Sequence, residues 1–505
     1  MQIGNYILDN RQEKIVKENH DYLLVSAGAG SGKTLTILGK ISYLINEKNL
    51  KPEEILCISF TKAAASSLKE KIKKEISLDI PTYTFHKLSL EIIKENKTTY
   101  NIADECLLEN CVNEFFGIDI YESDYLIKLI GKYFNRKIKN QKEDYIKIIT
   151  LEKSKFLQLK RLCITFIRLM KSNDYHIESF LSFISKIKRT ILYSKYKKEK
   201  IVLTLILNIY LKYETYLKEN KEVDFDDMLS IATKIVKEKG IKQKVKYIII
   251  DEYQDTSLIR FYLIKEIMNK TQAKLMVVGD DFQSIYKFTG CDISLFLNFN
   301  KFFPTAKIMK LERTYRNSNE LIQIAGTFIM KNKKQIKKQL YSEKQLTNPI
   351  KILKYNNIKK IFLEIIKELS KNKEQKILVL GRNNNDISML LNENITIKDN
   401  KIIIKNYEFL DITYMTVHKS KGLESDNVIL INLTNKTTGF PSQIKEEKLT
   451  RLVTKTNDRY PYSEERRLFY VALTRTKNYV YLLTPQKSPS IFIEELEKII
   501  HSLEK

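Results

Sequence analysis

Ala27, Gly28, Ala29, Gly30, Ser31, Gly32, Lys33 and Thr34 run together as AGAGSGKT, and their reading decides how the rest of this 505-residue chain is understood. An apolar run, Tyr22-Leu-Leu-Val-Ser26, precedes them. A segment with Leu35, Leu38, Ile41 and Ile45 on one helical face follows. Strand, glycine-rich turn and helix in that order form the setting of a phosphate-binding loop. Such a turn points backbone N–H groups inward, where they and the helix N-terminus cradle phosphate oxygens. Lys33 is placed to reach the β- and γ-phosphates of a nucleoside triphosphate, and the Thr34 hydroxyl to hold Mg²⁺. Ala27 stands where the strict pattern has glycine.

The second half of such a site is expected on another strand end. Ile248-Ile-Ile-Asp-Glu-Tyr-Gln-Asp-Thr256 supplies it, with Asp251 as the magnesium carboxylate and Glu252 as the base that polarises the attacking water. Short apolar strand candidates alternate with helical stretches, first at Leu56–Phe60, Tyr247–Asp251 and Leu275–Gly279. A second series follows at Lys307–Leu311, Ile377–Gly381, Thr413–His418, Val428–Leu433 and Val480–Thr484. The expected fold class is therefore α/β, with two tandem parallel-sheet cores. Residues 1–91 and 221–291 form the first core and 292–490 the second. The Lys/Leu/Ile/Tyr-rich stretch 92–220 is a helical insertion, and 491–505 a C-terminal helix.

Composition narrows the partner. A formal net charge of +26 favours a polyanion, nucleic acid before an acidic membrane surface. Only 14 of the 87 basic residues are Arg, so an Arg inside a motif carries more information than a Lys. The five cysteines match no zinc spacing, and the opening MQIGNYILDNRQEK has no signal pattern. A cytoplasmic protein with reduced thiols is expected. The lysine-rich stretch Lys331–Lys338 reads as an exposed helix end.

Six motifs occur in a fixed order: AGAGSGKT, DEYQDT, Val278-Gly-Asp-Asp-Phe-Gln-Ser-Ile-Tyr-Lys-Phe288, Thr314-Tyr-Arg-Asn317, Met415-Thr-Val-His-Lys-Ser-Lys-Gly-Leu-Glu424 and Glu465-Arg-Arg-Leu-Phe-Tyr-Val-Ala-Leu-Thr-Arg475. Together they resemble the UvrD/Rep-type superfamily 1 DNA helicases, most closely the bacterial helicase IV branch. The resemblance implies two RecA-like cores and ATP with Mg²⁺ as cofactors. It implies that Gln12 recognises adenine, Tyr315 stacks on it and Glu424 bonds the ribose. Gln283 senses the γ-phosphate, and Arg316 and Arg475 reach it from the second core. Single-stranded DNA would lie on Phe60, Thr61, His86, Tyr286, Phe288, Thr416, His418 and Ser420.

The same resemblance implies an ATP-dependent 3′–5′ helicase or translocase on single-stranded and tailed duplex DNA, serving repair, recombination or defence. Two alternatives stand beside it: a translocase that strips bound proteins with little unwinding, and an NTPase that remodels RNA polymerase. Polymerase-remodelling relatives carry a long N-terminal arm, for which the short stretch between Gln12 and Ala27 leaves no room. Larger relatives insert a whole domain between the segments matching Gly381 and Met415. Here about thirty residues fill that interval, too few for a domain of its own. No nuclease domain is expected after the last motif.

Overall fold

In the computed structural model, which describes residues 1–97, 99–190, 193–444, 447–454, 458 and 460–503, two parallel sheets are built in succession along the chain. The first has six strands, in the spatial order Lys307–Leu311, Tyr22–Ala27, Lys274–Gly279, Tyr247–Ile250, Ile55–Ser59 and Thr82–Thr84. All its pairings are parallel. Its central strands are near-continuous apolar runs such as Tyr247-Ile-Ile-Ile250, as expected of strands covered by helices on both faces.

The second sheet has seven strands, in the order Ile350–Tyr355, Val480–Pro485, Asn427–Leu430, Lys376–Gly381, Asp411–Thr416, Lys401–Ile404 and Ile395–Lys398. The first five are parallel. The last two form an antiparallel hairpin added to the sheet edge. That hairpin and a short 3-10 turn, Asn384–Met389, fill most of the interval between Gly381 and Asp411. The fold is α/β with two tandem RecA-like cores.

Four sequence expectations are corrected by the packing. The strand Lys307–Leu311, assigned above to the second core, pairs residue by residue with Leu23–Ala27 in the first sheet. Leu295, Phe296, Phe299 and Phe303 pack into the first core as well, so that core runs on to Leu311 rather than ending at 291. An edge strand with lysines at 307 and 310 looks alike in either sheet, and only its partner tells them apart. The helix Phe85–Glu95 buries Ile92 and Ile93 in the first core, so the insertion starts later than 92. Finally, Ile491–Leu503 buries Phe492, Ile493, Leu496 and Ile499 against the second core and belongs to it. The strands Thr82–Thr84 and Ile350–Tyr355 were not expected at all.

The insertion contains the helices Leu107–Gly117, Asp124–Tyr133, Gln141–Leu151, Lys153–Ser172, Ser179–Thr190 and Tyr193–Glu219. Leu107, Leu108, Cys111, Val112, Phe115 and Phe116 recur at helical spacing, and all are buried in a core separate from the sheets. A two-residue parallel ladder, Asn101–Ile102 with Glu222–Val223, closes its neck. Lys171, near the end of the helix Lys153–Ser172, lies 2.8 Å from both Asp224 and Asp227 and 2.7 Å from Glu214. Among the described residues no helix is long and apolar enough to cross a membrane.

Candidate nucleotide site and nucleic-acid channel

The phosphate loop leaves its strand at Ala27 and enters the helix Lys33–Asn46. Gly30 and Gly32 adopt left-handed backbone, with φ of +68° and +77°. Their hydrogen side chains also admit neighbours. A Cβ on Gly30 would lie 2.6 Å from Arg316 Cβ, and one on Gly32 2.6 Å from Gln12 Nε2. On Gly28 it would lie 2.5 Å from Leu340. The loop is thus closed by residues far away in sequence. Ala27 ends the strand fully buried, and Ala29 is almost fully buried against the second core.

Gln12 follows the N-cap Asp9 in a reciprocal capping box: Gln12 N donates to Asp9 Oδ1 at 2.8 Å and Asp9 N to Gln12 Oε1 at 3.0 Å. That leaves Gln12 Nε2 buried with no partner, and Ser31 Oγ is in the same condition. Two buried polar atoms without partners, one on each side of the loop, fit a ligand offering a heterocyclic nitrogen and phosphate oxygens. ATP has both. For Mg²⁺ the donors would be the Thr34 hydroxyl and the Asp251 carboxylate. This hard-oxygen set suits an ion that keeps waters and phosphates as its other ligands.

Lys33 Nζ lies 2.7 Å from Glu252 Oε1. Glu252 itself has φ +52°, and its second oxygen accepts from Gln254 Nε2 at 2.6 Å. Burial raises the Glu252 carboxyl, but the Lys33 and Lys421 ammoniums outweigh it and hold the group well below the usual carboxylate range. Burial and the neighbouring Glu252 charge push Asp251 the other way. The adjacent acids are therefore differentiated, with the ionised one against the lysine of the loop.

The second core faces this site with two arginines. Arg475 is 1% exposed. Its Nε donates to Val471 O at 3.0 Å, Nη1 to Leu423 O at 3.1 Å and Nη2 to Gln283 Oε1 at 2.9 Å. Burial and the nearby Arg316 bring its pKa down to about 9. Arg316 donates from Nε to Glu424 at 2.9 Å and from Nη1 to Thr474 O at 3.3 Å. Glu424 also meets Lys477 at 3.2 Å, so this carboxylate sits between two cations. Tyr315 N donates to Gly30 O at 2.9 Å, which places its half-exposed ring beside the loop under the Arg313 guanidinium. Its hydroxyl donates to Asp9 Oδ2 at 2.7 Å.

The aromatic residues form one row. Phe60 stacks on Tyr286 with centroids 5.8 Å apart and planes 12° apart. Tyr286 meets Phe288 at 6.1 Å, and Phe288 meets His418 at 5.6 Å. Three of these rings come from the first core and His418 from the second. Phe288 is 57% exposed, so its ring is accessible within the row. His86 lies 5.0 Å from the exposed ring of Phe225. Burial, helped by Arg260 at His86 and by Arg382 and Lys421 at His418, lowers both imidazoles to about 4. At neutral pH they are uncharged.

Three hydroxyls expected on DNA have other uses. Ser420 is fully buried, and its Oγ donates to Val417 O at 2.8 Å; the turn after Thr416 is closed by its own side chain, so this hydroxyl is not presented at the surface. Thr416 is 8% exposed and accepts from Lys419 N at 3.4 Å. Thr61 caps the helix Lys62–Ile76 by accepting from Ala64 N at 3.1 Å.

Lys338 is a larger correction. Far from ending an exposed helix, it is fully buried and pairs with Asp280 and Asp281 at 2.6 and 2.8 Å. Residues missed in the sequence include Phe225, Lys421 and Arg260, whose guanidinium lies 4.7 Å over Phe60. Lys421 donates to Gln283 O at 2.6 Å and to Asp255. Its place inside the Met415–Glu424 motif was the one available signal.

A phosphate loop with its paired acids on one RecA-like core, faced by two arginines of another, defines a P-loop NTPase whose site lies in the cleft between cores. The family of the UvrD/REP helicase N-terminal domain matches residues 8–304, and that of the UvrD-like helicase C-terminal domain matches 390–487. The chain belongs to the UvrD/Rep helicase family. It is 29% identical over 507 residues to DNA helicase IV of Escherichia coli (strain K12), covering 99% of this chain and 71% of that protein. It is 28% identical over 527 residues to ATP-dependent DNA helicase Rep of Buchnera aphidicola subsp. Schizaphis graminum (strain Sg), covering 98% and 73%. With ATP-dependent DNA helicase PcrA of Bacillus subtilis (strain 168) the identity is 30% over 340 residues, or 66% of this chain and 40% of that protein.

Proposed function

We propose that this helicase uses ATP hydrolysis to move 3′ to 5′ along single-stranded DNA and to unwind tailed duplexes, in repair, recombination or defence. The observation that carries the reading is the aromatic row shared by the two cores and tied to the nucleotide site. The Lys421 ammonium sits 4.9 Å over the Tyr286 ring and bonds Gln283 O, while the Gln283 side chain bonds Arg475. Three contacts, Arg475–Gln283, Gln283–Lys421 and Lys421–Tyr286, thus run from the cleft to the rings.

Lys33 and the loop N–H groups bind the phosphates, and Thr34 and Asp251 would hold Mg²⁺, which when bound would supply charge neutralisation at the phosphates. Glu252 takes the proton of the attacking water, and Arg316 and Arg475 stabilise the charge on the transferring phosphoryl. Gln12 and Tyr315 hold the adenine and Glu424 the ribose. Phe60, Tyr286, Phe288, His86 and His418 face the bases, where stacking reads no sequence.

Duplexes with a 3′ tail, a 5′ tail or blunt ends test the reading. DNA-stimulated ATPase with preferential opening of the 3′-tailed duplex is expected. A 5′ preference, or ATPase indifferent to nucleic acid, overturns it. Phe288→Ala removes a base-stacking ring worth about 1–3 kcal/mol. Unwinding should fall about tenfold while DNA-stimulated ATPase stays within about threefold; unchanged unwinding would make Phe288 a packing residue only. The hairpin Ile395–Ile404, a small addition at a sheet edge, favours a second reading in which the motor mainly displaces bound proteins. Efficient removal of streptavidin from biotinylated single strands, with little duplex opening, would select it.

A further inference from the structure

Beside the loop the hydrogen bonds run in a continuous chain that passes through Asp280. Lys33 meets Glu252, Glu252 accepts from Gln254, and Gln254 Oε1 accepts from Asp280 N at 2.9 Å. Asp280 Oδ2 accepts from Gln283 Nε2 at 2.6 Å, and Gln283 Oε1 accepts from Arg475. Asp280 thus joins the acid wall to the arginine wall. It is fully buried next to a second buried acid, Asp281. Two adjacent carboxylates out of water repel each other unless a cation sits between them.

Lys338 is that cation. An ammonium has three donors, and all three are used: Ala27 O at 2.9 Å, Asp280 Oδ1 at 2.6 Å and Asp281 Oδ1 at 2.8 Å. Its Nζ also lies 3.7 Å from the centre of the Phe282 ring. The surrounding segment is fastened at both ends. Ile336 N donates to Asp281 Oδ2 at 3.0 Å, and Gln339 N donates to Glu312 Oε1 at 2.6 Å. Leu340 packs on Gly28 of the loop.

We propose that Lys338, which lies outside every motif, is a positioning residue for ATP hydrolysis. It fixes Asp280 against the Ala27 carbonyl, so that Glu252 on one side and the Gln283–Arg475 pair on the other keep one geometry around the phosphate loop. The assignment rests on the ATPase reading above.

Lys338→Met and the double variant Lys338→Met/Asp281→Asn separate positioning from charge balance. Lysine with two acids carries a net charge of −1, and so does the double variant with its single remaining acid. Single-strand-stimulated kcat, KM for ATP and Tm are measured for the wild type and both variants. Lys338→Met is expected to lower both Tm and kcat. In the double variant Tm should return towards the wild-type value, with KM within about threefold, while kcat stays at least about thirtyfold down because Asp280 is still unheld. Recovery of kcat together with Tm would reduce Lys338 to a counter-charge and overturn the proposal. So would a Lys338→Met variant that turns over normally. A wild-type chain without ATPase would overturn the ATPase reading and this assignment with it, whereas the variant outcomes bear on Lys338 alone.

Discussion

Glu252→Gln should lower DNA-stimulated ATP turnover about 10³-fold, within the range that a general base supplies, and leave nucleotide binding intact or tighter. Two acids stand side by side at the strand end, and their surroundings push them apart. Glu252 faces the Lys33 and Lys421 ammoniums and stays ionised, while Asp251 is driven towards its neutral form by burial and by Glu252. An ionised carboxylate can accept a proton from water, and Glu252 is the acid held against the Lys33 ammonium beside the loop. Glutamine preserves the shape at this strained position, where φ is +52°. Its amide oxygen can still accept from Lys33 or from Gln254 Nε2, though not from both, and it cannot take the proton. The 2.7 Å pair with Lys33 also competes with phosphate for the ammonium, which is why affinity should hold or improve. Fluorescent-nucleotide titration beside steady-state ATPase checks both halves. Turnover equal to wild type would move the base elsewhere.

What could be read from the sequence was chemistry with fixed local spacing. The loop, the acid pair and the Arg-bearing motifs need particular residue types a few positions apart, and a linear reading finds them. What escaped depends on partners distant along the chain. Lys307–Leu311 is plainly a strand in sequence, yet nothing within it says that it pairs with Leu23–Ala27. Lys338 looks like one more lysine in a basic run, and only Asp280 and Asp281, more than fifty residues away, make it a buried cation. Ser420 failed for the opposite reason, since its hydroxyl is satisfied three residues back along its own turn. Arg260 and Phe225 come beside Phe60 and His86 only because the fold brings those rings to them.

Arg475→Ala should cut DNA-stimulated turnover about 10³- to 10⁵-fold, the range of an arginine that stabilises phosphoryl transfer, with ATP binding largely retained. The guanidinium does two things that no smaller group can do together. Its Nε and Nη1 are anchored on the Val471 and Leu423 carbonyls of the second core, and its Nη2 crosses to Gln283 of the first. Alanine leaves the Val471 and Leu423 carbonyls and the Gln283 amide oxygen without this donor, so a loss of about 1–3 kcal/mol in stability accompanies the loss of turnover. Arg475→Lys distinguishes the two effects. Lysine keeps a positive charge but is a point donor on a flexible stem, unable to hold both carbonyls and reach Gln283 at once. It should recover part of the stability and little of the rate. If Arg475→Lys restored turnover to within about threefold of wild type, charge alone would suffice and the forked contact across the cleft would have no catalytic part. Normal turnover in Arg475→Ala would remove the residue from the reaction altogether and leave Arg316, held by Glu424 and the Thr474 carbonyl, as the arginine of the second core that acts on the phosphate.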